Sequence, residues 1–418
     1  SARNSPIPIS EMALETPIWV NTDFAQRILR LSEEDPTVHV IDIFSKPATS
    51  KGDNYTSDLI RVTVDYTRKQ NQKELKGKKS LLFKFEPIAD GARKDLKINI
   101  FDTEITMMTD TLKKMNEMLG SRLGAQVYHV RMERPLCLIM EDLAPQGFRM
   151  ADRQAGLDWD HCLLAIRGLA KFHASSVALC EKERKHKAMY RKGMFNEDYP
   201  EEMAAFFIGA ARMSMEFCNL MSMEFCNSYV TKMRNLVPRL YEKGMAATKR
   251  KDDEFNVINH GDFWVNNMLF RYDETNQPIE HIFVDFQLCI YTSPAVDLLY
   301  FLSTSPTMEI SENHTSGLLE EYLQTLTTTM KRLGCGTQPP TMAELKKMLK
   351  ERAAYGMISS MTVLPIIVTD KSEVKDMDEL LLQNSNDGTI NAPGFKSPVY
   401  ERIMSKRIPK YDELGLFD

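Results

Sequence analysis

The chain has 418 residues, of which 43% are apolar and 27% are charged, and its net charge is −5. This length is enough for about two to three domains, and the acidic balance gives no electrostatic case for binding nucleic acid or anionic membranes. The seven cysteines include no C-x-x-C pair, which favours reduced thiols over disulfides or zinc ligands.

Targeting segments are not evident in the sequence. We find no apolar run close to the ~20 residues that a transmembrane helix needs, and residues 1–6 lack the apolar core of a signal peptide. We therefore expect a cytoplasmic protein without a membrane span.

Two β-type segments, Thr37–Phe44 and Leu59–Tyr66, lie near the N-terminus, and apolar residues alternate cleanly along the second. The connection between them includes residues 51–57, which are mostly small and polar. A strand, a tight loop and a returning strand can place backbone N–H groups over phosphates, although a plain hairpin turn has the same pattern. The candidate phosphate contacts are Gly52, Asn54, Tyr55 and Ser57.

A third strand is predicted at Ser80–Glu86, with Lys84 inside its apolar run. An unpaired ammonium group is costly to bury, so we expect Lys84 to meet an anion. Glu104, in a predicted helix at Phe101–Met107, is the candidate partner. Two alternatives remain: Lys84 reaches solvent from an edge strand, or Glu104 is a solvated helix residue. Rival carboxylates in the same region are those of Asp102, Asp110 and Glu117.

The chain becomes mainly helical after a further predicted strand at Pro135–Met140. Asp158 is a predicted N-cap, and the helix after it carries an apolar stripe that includes His173. A histidine in that position is more often a hydrogen-bonded core residue than a catalyst. We therefore predict a structural role for His173.

One heptapeptide occurs twice, as residues 213–219 and 221–227. Eight helical residues overshoot two turns by about 80°, so the two copies cannot share one helix face. We predict a local duplication within one long helix. The alternative is that its Met and Phe residues line an adaptable apolar pocket.

The most informative segment is His260-Gly-Asp262-Phe-Trp-Val-Asn-Asn267, followed by a predicted strand, a turn and a second strand that ends at Asp285. A hairpin places the residue after its second strand beside the residue before its first, so Asp285 should lie near Asn267. Magnesium prefers oxygen ligands and usually takes only one or two protein groups besides phosphate and water. An Asn and an Asp at adjacent strand ends meet that demand.

These residue types indicate phosphoryl transfer from a magnesium-bound nucleotide. Asp262 would orient an acceptor hydroxyl and take its proton, while Asn267 and Asp285 would hold magnesium on ATP. His260 completes the predicted catalytic set, and Lys84 would contact the α- and β-phosphates. An ordinary turn explains the His-Gly-Asp segment taken alone, but it does not explain an aspartate correctly placed after a hairpin.

The two motifs resemble the catalytic loop and metal-binding motif of the protein-kinase-like superfamily in its small-molecule branch, which includes choline kinases and aminoglycoside phosphotransferases. Trp264, the triplet Asp285-Phe-Gln and the segment Ser293–Leu302 make the chain most similar to the ecdysteroid kinase-like (CHK kinase-like) family. The resemblance runs from about Gly52 to at least Leu302.

This resemblance implies an α+β, bilobal protein-kinase-like fold. A small antiparallel-sheet lobe at residues 1–141 would bind the nucleotide, and a larger, mainly helical lobe would occupy residues 142–418. Backbone atoms of Glu141 and Leu143, between the lobes, would contact adenine. Asp297 would cap a helix and brace the catalytic loop, although an exposed cap without that contact has the same sequence.

The expected function is that of an ATP- and Mg²⁺-dependent kinase that phosphorylates a hydroxyl of a lipophilic small-molecule alcohol, with an ecdysteroid as the leading candidate. A choline- or aminoglycoside-type kinase would use the same nucleotide site with a pocket for a cationic substrate. A protein that sequesters a lipophilic ligand without turnover would keep only the fold. A protein kinase is disfavoured, because Phe-Gln follows Asp285 in place of Phe-Gly and Pro294 follows soon after.

Overall fold

The computed structural model describes residues 16–48, 58–86, 100–199, 201–220, 223–373 and 393–418. The predicted phosphate contacts Gly52, Asn54, Tyr55 and Ser57 lie outside the described residues. The chain divides into two compact units. The first contains residues 1–88 and 126–145, and the second contains residues 89–125 and 146–418.

The first unit consists of one helix and one sheet among its described residues. Its elements are α1 (Thr22–Ser32), β1 (His39–Pro47), β2 (Asp58–Gln70), β3 (Lys73–Phe85), β4 (Val127–Arg131) and β5 (Cys137–Glu141). The strands form an antiparallel sheet in the order β1-β2-β3-β5-β4. The predicted antiparallel hairpin of the first two strands and the third strand beside them are therefore confirmed.

Apolar alternation explains how this sheet is covered. Every second residue of β2, from Ile60 to Tyr66, is buried, as the sequence predicted. Phe24 and Leu29 of α1 pack into the same core. The helix begins at Asn21, whose side chain accepts a hydrogen bond from the Phe24 backbone N–H, an arrangement typical of an N-cap.

The second unit is mainly helical, with short strands among its described residues. The strands are β6 (Phe148–Arg149), β7 (Val257–Asn259), β8 (Met268–Tyr272), β9 (Pro278–Phe283) and β10 (Ile290–Thr292). β6, β8 and β9 form one antiparallel sheet, and β7 pairs with β10 in another. With the sheet of the first unit, this composition confirms the predicted α+β class.

The described helices of the second unit follow in chain order. They are α2 (Phe101–Thr106), α3 (Leu112–Leu119), α4 (Trp159–Lys182), α5 (Lys185–Met189), α6 (Glu201–Leu220), α7 (Met223–Leu236), α8 (Leu240–Thr248), α9 (Ala295–Thr304), α10 (Met308–Asn313), α11 (Thr315–Leu333), α12 (Met342–Glu351), α13 (Ala353–Thr362), α14 (Leu364–Ile367) and α15 (Pro398–Glu413).

The grouping of residues 100–125 differs from the predicted lobes, which placed them in the first lobe. These residues belong to the second unit because α3 packs on α4. α2 and α3 are joined by a π-helical turn at Met107–Thr111, so the predicted helix at Phe101 is present but is not regular throughout. The first unit also continues past residue 141, to Pro145.

α4 is the central helix of the second unit. Asp158 is its N-cap and accepts a hydrogen bond from the His161 backbone N–H, which confirms the predicted start. Among the described residues, α4 is the one helix long and apolar enough to cross a membrane, with a mean hydropathy of 1.3. Buried residues make up 72% of that window, which is also typical of a core helix.

The heptapeptide repeat is divided between two helices, so the prediction of one long helix is wrong. α6 ends at Leu220 and α7 begins at Met223, and the two helices pack on each other. The physical reason is the eight-residue offset between the two copies. A second copy turned by about 80° cannot bury the same face along one straight helix, whereas two helices can each present their own face.

Candidate active site

The hairpin of β8 and β9 brings two loops together. Met268 pairs with Phe283 in an antiparallel register, and the backbone N–H of Val284 donates to the carbonyl of Asn267 at 3.1 Å. Residues 260–267, here called the central loop, therefore lie beside residues 284–289, here called the Asp285 loop. The prediction that Asp285 lies near Asn267 rested on this hairpin, which is present.

Backbone conformation fixes how closely the two loops approach. Gly261 has a φ of +83°, and a Cβ atom at this position would lie 1.8 Å from the carbonyl oxygen of Leu288. Only glycine has the room and the freedom to adopt that conformation without strain. Asp285 itself has a φ of +65°, a left-handed conformation that aspartate tolerates better than most residues.

The Asp262 carboxylate is held on both oxygens. The hydroxyl of Tyr300 donates to Oδ1 at 2.8 Å, and Nδ2 of Asn267 donates to Oδ2 at 2.8 Å. The same Nδ2 also donates to the Asp262 backbone carbonyl at 2.9 Å. Because the two polar atoms of an amide point in opposite directions, the Asn267 side-chain oxygen faces away from Asp262.

Burial and neighbouring groups shift the pKa of the Asp262 carboxylate. Burial, and secondly the negative charge of Asp285, raise the pKa of Asp262 to about 7. Hydrogen bonding from Tyr300, Asn267 and Trp264 lowers that pKa and opposes part of the rise. A carboxylate whose pKa is near neutrality is well matched to accept a proton at physiological pH.

His260 joins the two loops. Its Nε2 donates to the Val284 carbonyl at 3.0 Å, and its Nδ1 accepts from the Asp262 backbone N–H at 3.4 Å. The ring stacks on Phe283, with a centroid distance of 5.7 Å. These contacts suit a positioning role for His260, which sequence reasoning had grouped with the catalytic residues.

A buried cluster of Asp297, His173 and Tyr322, here called the brace cluster, supports the central loop from behind. Asp297 accepts hydrogen bonds from the backbone N–H groups of His260 at 2.7 Å and Gly261 at 2.8 Å. Nε2 of His173 donates to the same carboxylate at 3.0 Å, and Nδ1 is bonded to the Tyr322 hydroxyl at 2.8 Å.

The brace cluster settles two expectations. His173 is a hydrogen-bonded core histidine, as predicted, and Asp297 braces the loop, as predicted. The expectation that Asp297 caps a helix is wrong. α9 has Pro294 at its N-cap position, and the Asp297 carboxylate is directed to the loop backbone instead.

The remaining predicted site residues lie in different units. Lys84, on β3 of the first unit, and Glu104, on α2 of the second, are both buried, with exposed fractions of 3% and 1%. Glu141 ends β5 and accepts from the Gln126 backbone N–H at 3.1 Å. Leu143 is buried in the connection that follows.

Two residues with polar contacts, Asp142 and Tyr300, had no clear sequence signal. Buried Asp142, between Glu141 and Leu143, accepts from Arg61 at 2.6 Å and from the Ser80 hydroxyl at 2.5 Å, so it ties the connection to β2 and β3. Tyr300 contacts Asp262 from α9. Its only signal was its spacing of three residues after Asp297, which places both on one helix face.

The donor set fits a magnesium-bound nucleotide. Across the described residues, no cluster of three or more His, Cys, Asp or Glu side chains could hold a metal ion alone. Asp285 and the Asn267 side-chain oxygen that faces away from Asp262 would instead supply two oxygen ligands, the small protein share that Mg²⁺ takes when phosphates and water complete its shell. A divalent cation would also relieve the repulsion between Asp262 and Asp285 that raises the pKa of Asp262.

An antiparallel-sheet unit, a mainly helical unit and a hairpin that joins these two loops are the parts expected of a protein-kinase-like fold. The sequence profile of the ecdysteroid kinase-like family matches residues 51–335. The chain therefore belongs to the ecdysteroid kinase-like family. Membership of this family of kinase-like proteins supports a phosphotransferase.

Solved structures of small-molecule kinases are similar to the chain. The choline kinase of Cryptosporidium parvum Iowa II is 13% identical, with 95% of this chain and 98% of that chain covered and a TM-score of 0.44. The ethanolamine kinase of Plasmodium vivax is 11% identical, with 91% and 90% covered and a TM-score of 0.41. The choline kinase LicA of Streptococcus pneumoniae is 12% identical, with 93% and 99% covered and a TM-score of 0.40. No curated protein sequence matches the chain.

Proposed function

We propose that the protein is an ATP- and Mg²⁺-dependent kinase that transfers the γ-phosphoryl group of ATP to a hydroxyl of a lipophilic alcohol, with an ecdysteroid as the leading candidate. One observation carries the proposal. The Asp262 carboxylate has a pKa of about 7 and is held on both oxygens, within electrostatic reach of Asp285.

Each predicted residue has a role in this proposal. Bound Mg·ATP supplies the phosphoryl group and neutralises its charge. Asp285 and the Asn267 side-chain oxygen hold the metal, and Lys84 and Glu104 keep their predicted roles in nucleotide binding. The nucleotide is further bound through the predicted backbone contacts at Gly52, Asn54, Tyr55, Ser57, Glu141 and Leu143.

Asp262 performs the proton transfer. Its carboxylate orients the acceptor hydroxyl in line with the γ-phosphorus and takes the hydroxyl proton as the new O–P bond forms and the bond to the ADP oxygen breaks. The transition state of this reaction is loose and needs little covalent help. Most of the rate gain therefore comes from holding the reacting groups in position and from neutralising charge.

The acceptor is the least constrained part of the proposal. Family membership supports an ecdysteroid-like alcohol, and the 26 methionines and 20 phenylalanines of the chain supply adaptable apolar surface for one. A choline- or aminoglycoside-type acceptor is equally consistent with the same catalytic residues. We also propose a cytoplasmic location, supported by the free thiols of the cysteines that the structure describes.

An ATP-consumption assay with purified protein tests the function. Ecdysone, choline and kanamycin serve as acceptors, and we expect magnesium-dependent ADP formation with ecdysone. Asp262→Asn should reduce turnover by about 10²–10⁴-fold, the contribution typical of a general base, while calorimetry shows unchanged Mg·ATP binding. Asp285→Asn should weaken Mg-dependent nucleotide binding. Asp160→Asn, at an exposed position of α4, is the matched control and should change neither.

Three results would contradict parts of the proposal. Wild-type turnover by Asp262→Asn would exclude Asp262 as the base. Phosphorylation of choline or kanamycin but not ecdysone would replace the acceptor class. Tight Mg·ATP binding with no phosphorylated product from any of the three acceptors would favour a protein that sequesters its ligand.

A further inference from the structure

Tyr300 connects α9 to the side chain of Asp262. The phenol is 2% exposed, and its hydroxyl donates to Asp262 Oδ1 at 2.8 Å. Three residues earlier on the same helix, Asp297 holds the backbone of the central loop. Residues three apart lie on one helix face, so α9 contacts the loop at its backbone and at its reactive side chain.

Besides the hydrogen bonding of Trp264, two hydrogen bonds reach the Asp262 carboxylate from different directions. Asn267 reaches Oδ2 from within the central loop, and Tyr300 reaches Oδ1 from α9. A rotation of the carboxylate about its Cβ–Cγ bond would break at least one of these bonds. An ionised carboxylate has about four acceptor directions, so both bonds can persist while another direction remains for an acceptor hydroxyl.

We propose that Tyr300 is a positioning residue, which together with Asn267 fixes the plane of the Asp262 carboxylate for the acceptor hydroxyl. This inference rests on the proposed function, because it assigns to Asp262 the role of base. A reacting group held in one orientation before the reaction begins loses less rate to misalignment. Tyr300 thus acts on turnover through Asp262 and not through binding of either substrate.

A purely structural role for Tyr300 gives a different expectation. A buried phenol needs a hydrogen-bond partner, and Asp262 could serve only as that partner. Removal of the hydroxyl would then change the stability of the protein and leave the orientation of Asp262 and the turnover number unchanged. Tyr355 provides the matched control, because its buried ring lies 6.1 Å from that of Tyr300 and it forms no hydrogen bond to Asp262 among the described contacts.

The first test compares Tyr300→Phe with Tyr355→Phe, using ecdysone and ATP as substrates. We expect Tyr300→Phe to lower kcat about tenfold, in line with the loss of one hydrogen bond to a charged group, while KM for ATP and ecdysone stays within about twofold. Tyr355→Phe should retain wild-type kcat. Thermal unfolding of both variants confirms that each is folded.

The second test needs no acceptor. Crystal structures of the wild type and both variants report the orientation of the Asp262 carboxylate. We expect it to be rotated, or present in two orientations, in Tyr300→Phe alone. An unchanged orientation together with wild-type kcat in Tyr300→Phe would overturn the inference and leave the proposed function intact.

The two proposals fail in different ways. Wild-type turnover in Asp262→Asn would exclude Asp262 as the base and overturn this inference with it, while the kinase function itself would stand. If ecdysone is not phosphorylated, the crystallographic orientation decides alone: rotation in Tyr300→Phe supports the positioning role, and no rotation overturns it.

Discussion

Two histidines of the second unit, the buried His173 and the half-buried His281, lie close to the central loop in opposite states of hydrogen bonding. In the brace cluster, both ring nitrogens of His173 are bonded, one to Asp297 and one to Tyr322. His281 instead lies among the rings of Phe263, Phe270 and Phe283, at centroid distances of 6.3, 5.4 and 4.6 Å. Neither buried ring nitrogen of His281 has a hydrogen-bond partner among the described residues. This second arrangement is here called the histidine cage.

The difference shows which buried polar atoms support the central loop. The brace cluster satisfies its own polar atoms and also the two backbone N–H groups that shape the loop before Asp262, so its hydrogen bonds define a conformation. The histidine cage leaves its imidazole unsatisfied, which costs stability. Burial, and then electrostatic interaction with His260 and Lys171, lower the pKa of His281 to about 3, so this ring stays neutral.

The strongest test of the comparison is Asp297→Ala. This change leaves the backbone N–H groups of His260 and Gly261 buried without their acceptor and removes a partner of His173. We expect the free energy of unfolding to fall by about 3–5 kcal/mol, measured by urea denaturation. Asp160→Ala, at an exposed position, is the control. A loss below about 1 kcal/mol would mean that the brace cluster does not support the loop.

A matched pair of histidine substitutions comes next. His173→Leu leaves the Tyr322 hydroxyl and one Asp297 contact without a partner, so we expect a loss of about 2–3 kcal/mol in the free energy of unfolding. In the histidine cage, His281→Leu should instead raise the free energy of unfolding. Equal losses at both positions would show that hydrogen bonding does not distinguish the two histidines.

Asp262 extends the comparison to an acid whose charged form is disfavoured. Its pKa rises to about 7 in the folded state, above the usual value of about 3.9. The folded state therefore holds the proton more tightly, and this contribution to stability is present below about pH 4 and lost as the pH rises through about 7. Without nucleotide or magnesium, Asp262→Asn should gain about 2 kcal/mol over wild type at pH 8 after an allowance for screening.

Denaturation of wild type and Asp262→Asn between pH 4 and pH 8 measures this effect. The advantage of the variant should grow with pH over that range. A constant difference would mean that Asp262 keeps an ordinary pKa, and Asp160→Asn, at an exposed position of α4, is the control.

The smallest effect at neutral pH is that of His281→Leu. Replacing an unsatisfied imidazole with an apolar side chain among phenylalanines should raise the free energy of unfolding by about 1 kcal/mol at pH 7. The lowered pKa adds a pH dependence. Below about pH 6.5 the His281 imidazole takes up a proton in the unfolded chain but stays neutral in the folded protein. The wild type therefore loses stability as the pH falls from about 6.5 towards 3.

The advantage of His281→Leu should therefore grow by up to about 1.4 kcal/mol per pH unit below pH 6.5. Urea denaturation at pH 7 and pH 5 measures both the gain in the free energy of unfolding at neutral pH and its growth at lower pH. His314→Leu, at an exposed histidine, should show no comparable growth. A pH-independent difference for His281→Leu would indicate that water or local opening reaches the ring.

Local patterns in the sequence predicted much of this architecture. Alternation along Leu59–Tyr66 and the turn residues after Met268 depend on neighbours in the chain, and β2 and the β8–β9 hairpin follow from them. The position of Asp285 followed from the hairpin alone. Features that depend on distant packing were not predictable in the same way, since residues 100–125 join the second unit only because α3 packs on α4.

The candidate site shows the same contrast between contacts that are local in the sequence and contacts between distant residues. Asp262 and Asn267 are five positions apart, and their contact follows from one loop. His173 and Asp297 are 124 positions apart, so periodicity could predict that the histidine is buried but not which group it bonds. Tyr300 reaches Asp262 across 38 positions, and its spacing of three residues after Asp297 was its only sign in the sequence. The division of the repeat between α6 and α7 likewise depends on what each helix packs against.

The close contact at Gly261 has a practical consequence for efforts to change the acceptor. A side chain at this position would collide with the Leu288 carbonyl, so the close approach of the central loop to the Asp285 loop requires glycine at position 261. Libraries for directed evolution that randomise position 261 should consist largely of inactive clones. Diversity is better directed to positions where the backbones do not touch.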